Sequence, residues 1–159
     1  MSEYRNNFVN DQFHKVSRHI TNYLIENKIG TLVVGINKGW KDSISLGKRT
    51  NQNFVQLPHS RLISYLKYKC QMVGIKVIET EEAHTSKCDS LALEEVRHQE
   101  SYLGKRVKRG LFQSSVGKLI NADVNGALNI MRKVIGDCSF IENIVNSGFL
   151  FNPVKVRLT

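Results

Sequence analysis

The sequence predicts an α/β fold, and three observations carry that reading. Two short apolar, β-branched runs, Thr31-Leu-Val-Val-Gly-Ile36 and Ile75-Lys-Val-Ile-Glu-Thr80, have the length and composition of strands. Each is preceded by a stretch whose apolar residues recur at three- and four-residue spacing, as on one face of a helix. A third such stripe begins at Asn121. Strands joined through helices lie as parallel neighbours in one sheet, which gives the α/β class from pattern alone.

The first helix is expected from about Asp11 to Asn27, with Phe13, Val16, Ile20 and Leu24 as its packing stripe and Lys15, Arg18 and Asn22 outside. Gly30 ends the connection to Thr31–Ile36, whose unbroken apolar run predicts an interior strand covered on both faces. From Asn37 to Gln56 the chain is polar and cationic, a loop with a short strand near Ile44. Its Lys48 and Arg49, interleaved with Trp40 and Phe54, suit contact with phosphates and bases as well as they suit a solvated connection. Pro58 opens a helix lined by Leu62, Leu66, Cys70 and Val73, and Gly74 caps it. Strand Ile75–Thr80 follows. Residues 81–120 are the least regular part and read as an insertion, acidic around Leu93-Glu94-Glu95 and basic at Lys105-Arg-Val-Lys-Arg109. Asn121 then N-caps a helix running to about Lys133, with Val124, Leu128, Met131 and Ile135 on one stripe and Gly136 as the stop. The division expected is 1–136 as one portion with a basic insertion at about 83–120, and 137–159 as a tail that packs back on it.

Of 159 residues, 41% are hydrophobic, which excludes a disordered chain and allows one domain with a real core. Lys and Arg number 23 against 14 Asp and Glu, a net charge of +9 that suits a polyanionic partner. The opening residues lack the apolar core of a signal peptide, and no run approaches the roughly 20 apolar residues of a membrane span. A cytoplasmic protein without membrane contact is expected. Cys70, Cys88 and Cys138, odd in number and widely spaced, fit reduced thiols rather than a disulfide framework.

The run Asn121-Ala-Asp-Val-Asn-Gly-Ala-Leu-Asn-Ile130 resembles the third RuvC motif of the OrfB/TnpB-type transposon-encoded nucleases, whose Asp binds catalytic metal. Glu81-Glu82 before Thr85-Ser86-Lys87, and Gly104-Lys-Arg-Val-Lys-Arg-Gly110, resemble further segments of that family, and the likeness runs from about Val9 to the C-terminus. The resemblance implies a partial RNase H-like (RuvC-like) domain lacking the first three strands. It also implies a TnpB-like transposase fragment active in transposition and DNA recombination, related to RNA-guided DNA endonucleases that cleave phosphodiesters with magnesium or manganese. DNA and guide RNA would be its partners. The alternative is a nuclease-inactive nucleic-acid-binding module, or an inert remnant.

The family uses an Asp on the first strand, a Glu usually at the end of the fourth, and an Asp on the last helix. The last maps onto Asp123, an acid that the helix dipole alone would also favour in a first turn. The usual Glu position falls on Gly35, which carries no ligand. Glu82, at the matching spacing before the Thr-Ser segment, is the preferred replacement and Glu81 the runner-up, because the ends of adjacent strands open on one crevice. Asp123 and Glu82 are thus the expected metal ligands. Residues 1–10 offer no Gly-x-Asp strand, and Asp11 and Asp42 do not substitute for it on spacing. The family's zinc ribbon has two Cys-x-x-Cys pairs, whereas Cys88, His84 and His98 are too few and too loosely spaced, so no zinc is expected. Lys105, Arg106, Lys108 and Arg109 are read as phosphate contacts, with a solvated charge run as the competing reading. An open edge beside Thr31–Ile36 would favour self-association.

Overall fold

The computed structural model describes residues 3–37 and 59–137, together with Asn143 and Val156. The expectations for Lys48, Arg49, Trp40, Phe54 and Ile44, for Cys138, and for most of the tail after Asp137 lie outside these residues. The described chain forms two compact units, one holding residues 3–34 and 59–78 and the other 35–37 and 79–137.

In the first unit, helix α1 (Glu3–Glu26) packs along helix α2 (His59–Met72). α1 starts eight residues earlier than the apolar stripe indicated, because its first turns carry exposed Tyr4 and Phe8 and have no buried face for a periodicity to report. Leu24, Cys70 and Ile75 form the core, with Ile20, Leu32 and Val77 packed against it. Both helices end in the same way. Ile29 N–H returns to the Leu24 carbonyl and Ile75 N–H to that of Cys70, each across a residue in the left-handed region, Lys28 (φ 56°) and Gly74 (φ 75°).

Strand β1 (Thr31–Ile36) pairs with β2 (Lys76–Glu81). Lys76 N–H donates to Gly30 O and Glu82 N–H to Ile36 O, an equal advance along both strands that marks a parallel pair. β1 is nowhere fully buried, and among the described residues no second strand pairs with it. The expected interior strand is therefore a half-buried one with a single described neighbour. β2 runs one residue later than expected and takes in Glu81.

The second unit corrects the reading of 81–120 as irregular. Strands β3 (Lys105–Lys108), β4 (Leu111–Gln113) and β5 (Leu119–Asn121) make an antiparallel meander in which Arg106 faces Phe112 and Phe112 faces Ile120. Gly110 (φ 76°) and Gly117 (φ 81°) make its turns. Helix α3 (Ala122–Ile135) follows β5 without a loop. Asn121 Oδ1 accepts from the N–H groups of Asp123 and Val124, and Gly136 N–H closes on Arg132 O. Phe112, Ile120, Ala122 and Leu128 form the core beneath Leu91, Val124 and Met131, whereas Ile135 at the end of the predicted stripe is 49% exposed. Among the described residues no helix is long and apolar enough to cross a membrane.

Candidate active site

A cleft of about 420 Å³ opens in the second unit. Asn37, Glu82, His84, Arg106 and Asp123 line it, and Gly126 and Ala127 lie one turn behind Asp123 along α3. Asp123 stands in the first turn of α3, held there by the Asn121 cap at 2.8 Å. A Cβ built on Gly126 would meet nothing within 4 Å, so this small residue leaves the cleft open beside the acid.

Glu82 follows β2 and extends its pairing by one hydrogen bond, 3.1 Å from its N–H to Ile36 O. Its carbonyl accepts from Thr85 Oγ1 at 2.7 Å, which folds the chain into the turn through Ala83 and His84 (φ 64°). Neighbours along an extended chain face opposite ways, so Glu82 reaches the cleft while Glu81, exposed at the end of β2, is absent from its lining. The Glu82 carboxylate lies against Gly35: a Cβ built on Gly35 would be 3.2 Å from Glu82 Oε2 and 2.6 Å from Ile130 Cδ1. The volume a side chain at position 35 would claim is already occupied by Glu82 and Ile130.

Of the four cations in the basic run, Arg106 alone lines the cleft, and Lys105, Lys108 and Arg109 are exposed on β3 and the turn after it. A register shift between Arg106 and Lys108 separates their directions. His84 holds its Nδ1 3.4 Å from the Tyr102 hydroxyl, and its ring meets His98 edge-on at 5.5 Å. The Cys88 thiol is buried and directed at the carbonyls of Glu95 and Arg97, and burial pushes its pKa up.

Sequence reasoning missed the polar groups beneath the cleft. Asp89 is fully buried and accepts from Ser114 Oγ, from Ser115 N–H and Oγ, and from the N–H groups of Leu91 and Ala92. Glu94 accepts from the N–H groups of Asp89 and Leu103. From α3, Asn125 donates to Cys88 O, Asn129 to Thr85 O and Cys88 O, Arg132 to Glu94 O, and Lys133 to Glu81 O and Ala83 O. The available signal was Asn125, Asn129 and Arg132 at helical spacing, a polar stripe beside the apolar one.

Residues 59–130 match the Cas12f1-like, TNB domain family. The TnpB-like protein ORF457 of Acidianus two-tailed virus is 27% identical over 126 residues, which are 78% of this chain and 24% of that protein. Both likenesses are to the TnpB/OrfB-type family. Among solved structures, the Cas12f1 chain of a Cas12f1–sgRNA–target DNA complex shares its fold with a TM-score of 0.56 at 19% identity, over 80% of this chain and 34% of that one. This TnpB-like chain thus spans about a quarter of its curated relative and a third of that structural neighbour.

Whether the cleft suits a divalent cation turns on its donors. Two carboxylates face it, and magnesium is commonly held by one or two carboxylates, several waters and substrate phosphate oxygens. Among the described residues no group of three or more His, Cys, Asp or Glu side chains is arranged to hold a metal ion. Oxygen donors of the kind that hard cations take therefore line the cleft, two in number.

Proposed function

We propose that the cleft is the described part of a RuvC-like nuclease centre, in which Glu82 and Asp123 hold magnesium or manganese and Arg106 engages the phosphate of a bound nucleic acid. The observation that carries this reading is the Glu82 carboxylate lying against Gly35 and sharing a cleft with Asp123. An acid is thereby supplied beside the position where the family usually has one. The cation would supply Lewis acidity toward a phosphodiester oxygen. The chain's own residues do the rest. Asp123 and Glu82 offer oxygen donors from a helix start and a strand end, and the Arg106 guanidinium can fork onto two phosphate oxygens. Small Gly126 and Ala127 leave room for the backbone of a strand.

The partners proposed are DNA and a guide RNA, by analogy with the Cas12f1 complex and from the basic strand β3, and a role in transposition is proposed from the likeness to a TnpB-like protein. A second reading, a module that binds nucleic acid without cutting it, is favoured by one observation: two carboxylates rather than three converge among the described residues.

Manganese binding followed by electron paramagnetic resonance on the full chain, with magnesium-dependent DNA cleavage assayed in parallel, separates the outcomes. One manganese per chain is expected, lost in Glu82→Gln and in Asp123→Asn and retained in Glu81→Gln. Binding without cleavage would favour the non-cutting module. Equal binding by Glu82→Gln and wild type would reject the site.

A further inference from the structure

We propose that Lys133 is a positioning residue of the cleft, an ammonium on α3 that grips the peptide carbonyls on both sides of Glu82 and so sets the reach from that acid to Asp123. The proposal rests on the reading of the cleft as a cation site. Lys133 Nζ donates to Glu81 O at 2.9 Å and to Ala83 O at 2.9 Å, the two residues flanking Glu82. Ten residues earlier the same helix carries Asp123. One rigid element therefore presents one acid and holds the backbone of the other.

The grip is built for geometry. Asn129 lies one turn before Lys133 and ties the next part of the segment through Thr85 O and Cys88 O, at 2.9 and 2.8 Å, while Arg132 holds Asn129 Oδ1 at 2.7 Å. Without Lys133 the turn keeps its bonds from Glu82 N–H to Ile36 O and from Thr85 Oγ1 to Glu82 O. The segment should therefore stay folded while the two peptides around Glu82 lose their shared anchor. Groups that orient ligands from behind commonly change metal affinity about 10–100-fold.

Electrostatics makes the test decisive, because a lysine beside a cation site opposes cation binding, and deleting its charge should by Coulomb's law raise affinity. A fall in affinity on deletion isolates the positioning role. Manganese titration of the full chain is expected to weaken at least about tenfold in Lys133→Met, less in Lys133→Gln, whose amide reaches one carbonyl, and to recover within about twofold in Lys133→Arg. If Lys133→Met melts early, Lys133→Gln decides in its place. Affinity equal to or above wild type in the folded Met or Gln variant, with Glu82→Gln still abolishing binding, would overturn the proposal and leave the cation site standing. Wild-type binding by Glu82→Gln and Asp123→Asn would instead remove the site on which the proposal rests.

Discussion

Helices α1 and α3 each cover a neighbour, and they do it with opposite chemistry. Against α2, helix α1 buries Ser17, Thr21 and Leu24, small or apolar residues, around a core of Leu24, Cys70 and Ile75. Against segment 81–94, helix α3 buries Asn125, Asn129 and Arg132 and adds Lys133. The difference follows from what each faces. The backbone of α2 satisfies its own hydrogen bonds, so its partner need only pack. Most of segment 81–94 is turn and loop, and its carbonyls at Glu81, Ala83, Thr85, Cys88 and Glu94 take donors from α3 side chains instead. A helix that covers a loop must bring donors; one that covers a helix need not.

The largest expected effect tests that contrast directly. Asn129→Leu keeps the branched outline but orphans Thr85 O and one donor of Arg132, and leaves Cys88 O with Asn125 alone. It should cost about 3–4 kcal/mol, since each buried group left unpaired costs about 1–3 kcal/mol. Leu24→Ala in the α1–α2 seam should cost about 2–3 kcal/mol, the lower part of the range for buried leucines, because few large side chains surround it. Urea melts followed by circular dichroism compare the two. An Asn129→Leu protein as stable as wild type would break the contrast, as it would mean that water serves the loop as well as α3 does.

The same contrast marks how much could be read from the sequence. Helices α1 and α2 and both strands were legible because packing leaves an apolar pattern, and α3 was legible down to its Asn121 cap and Gly136 stop, whereas the pairing of α1 with α2 was not. The meander was not, because Lys105, Arg106, Val107 and Lys108 are all exposed and three- or four-residue strands leave no alternation to count. In the cleft, the motif around Asp123 was legible as a whole string. The preference for Glu82 over Glu81 rested on its spacing before Thr85-Ser86 alone, since a shift of one residue in the end of β2 exchanges the faces of the two side chains. Asp89 carries no signal of its own in the sequence, and only the fold reveals its donors from Ser114 and Ser115.

A smaller effect sharpens the comparison from the solvent side, where β3 presents Lys105, Arg106 and Lys108, with Arg109 in the following turn. If these four cations meet phosphates, converting all four to Ala should lower the slope of log affinity against log salt by roughly 3, at about 0.7–0.9 per contact. Fluorescence anisotropy with a labelled oligonucleotide measures it. An Arg106→Ala single variant should also lose binding in the cleft, whereas Lys108→Ala should act on the slope alone. An unchanged slope in the quadruple variant would make the run a solvated edge.

The smallest effect lies in the α1–α2 seam, at Lys69. Lys69 Nζ donates to His14 O and to Ser17 Oγ, each at 2.7 Å. Burial, and then the charge of Arg18, hold its pKa below the ordinary value of 10.5. The sign follows from linkage: between the depressed folded pKa and the unfolded one, the unfolded chain binds more protons, so stability rises with pH across that window. Below the window the full cost of the enclosed charge is present. Lysines and tyrosines elsewhere also titrate in this range, so the quantity to follow is the difference in unfolding free energy between wild type and Lys69→Gln. That difference should move in favour of wild type as pH climbs from about 8 toward 10.5. Lys69 is half-buried, so solvent screens part of its charge and the movement should be slight. The opposite drift would mean that the two hydrogen bonds hold the ammonium more strongly than burial and Arg18 oppose it. This seam would then share the donor chemistry of α3, and the contrast between the two helices would be one of degree.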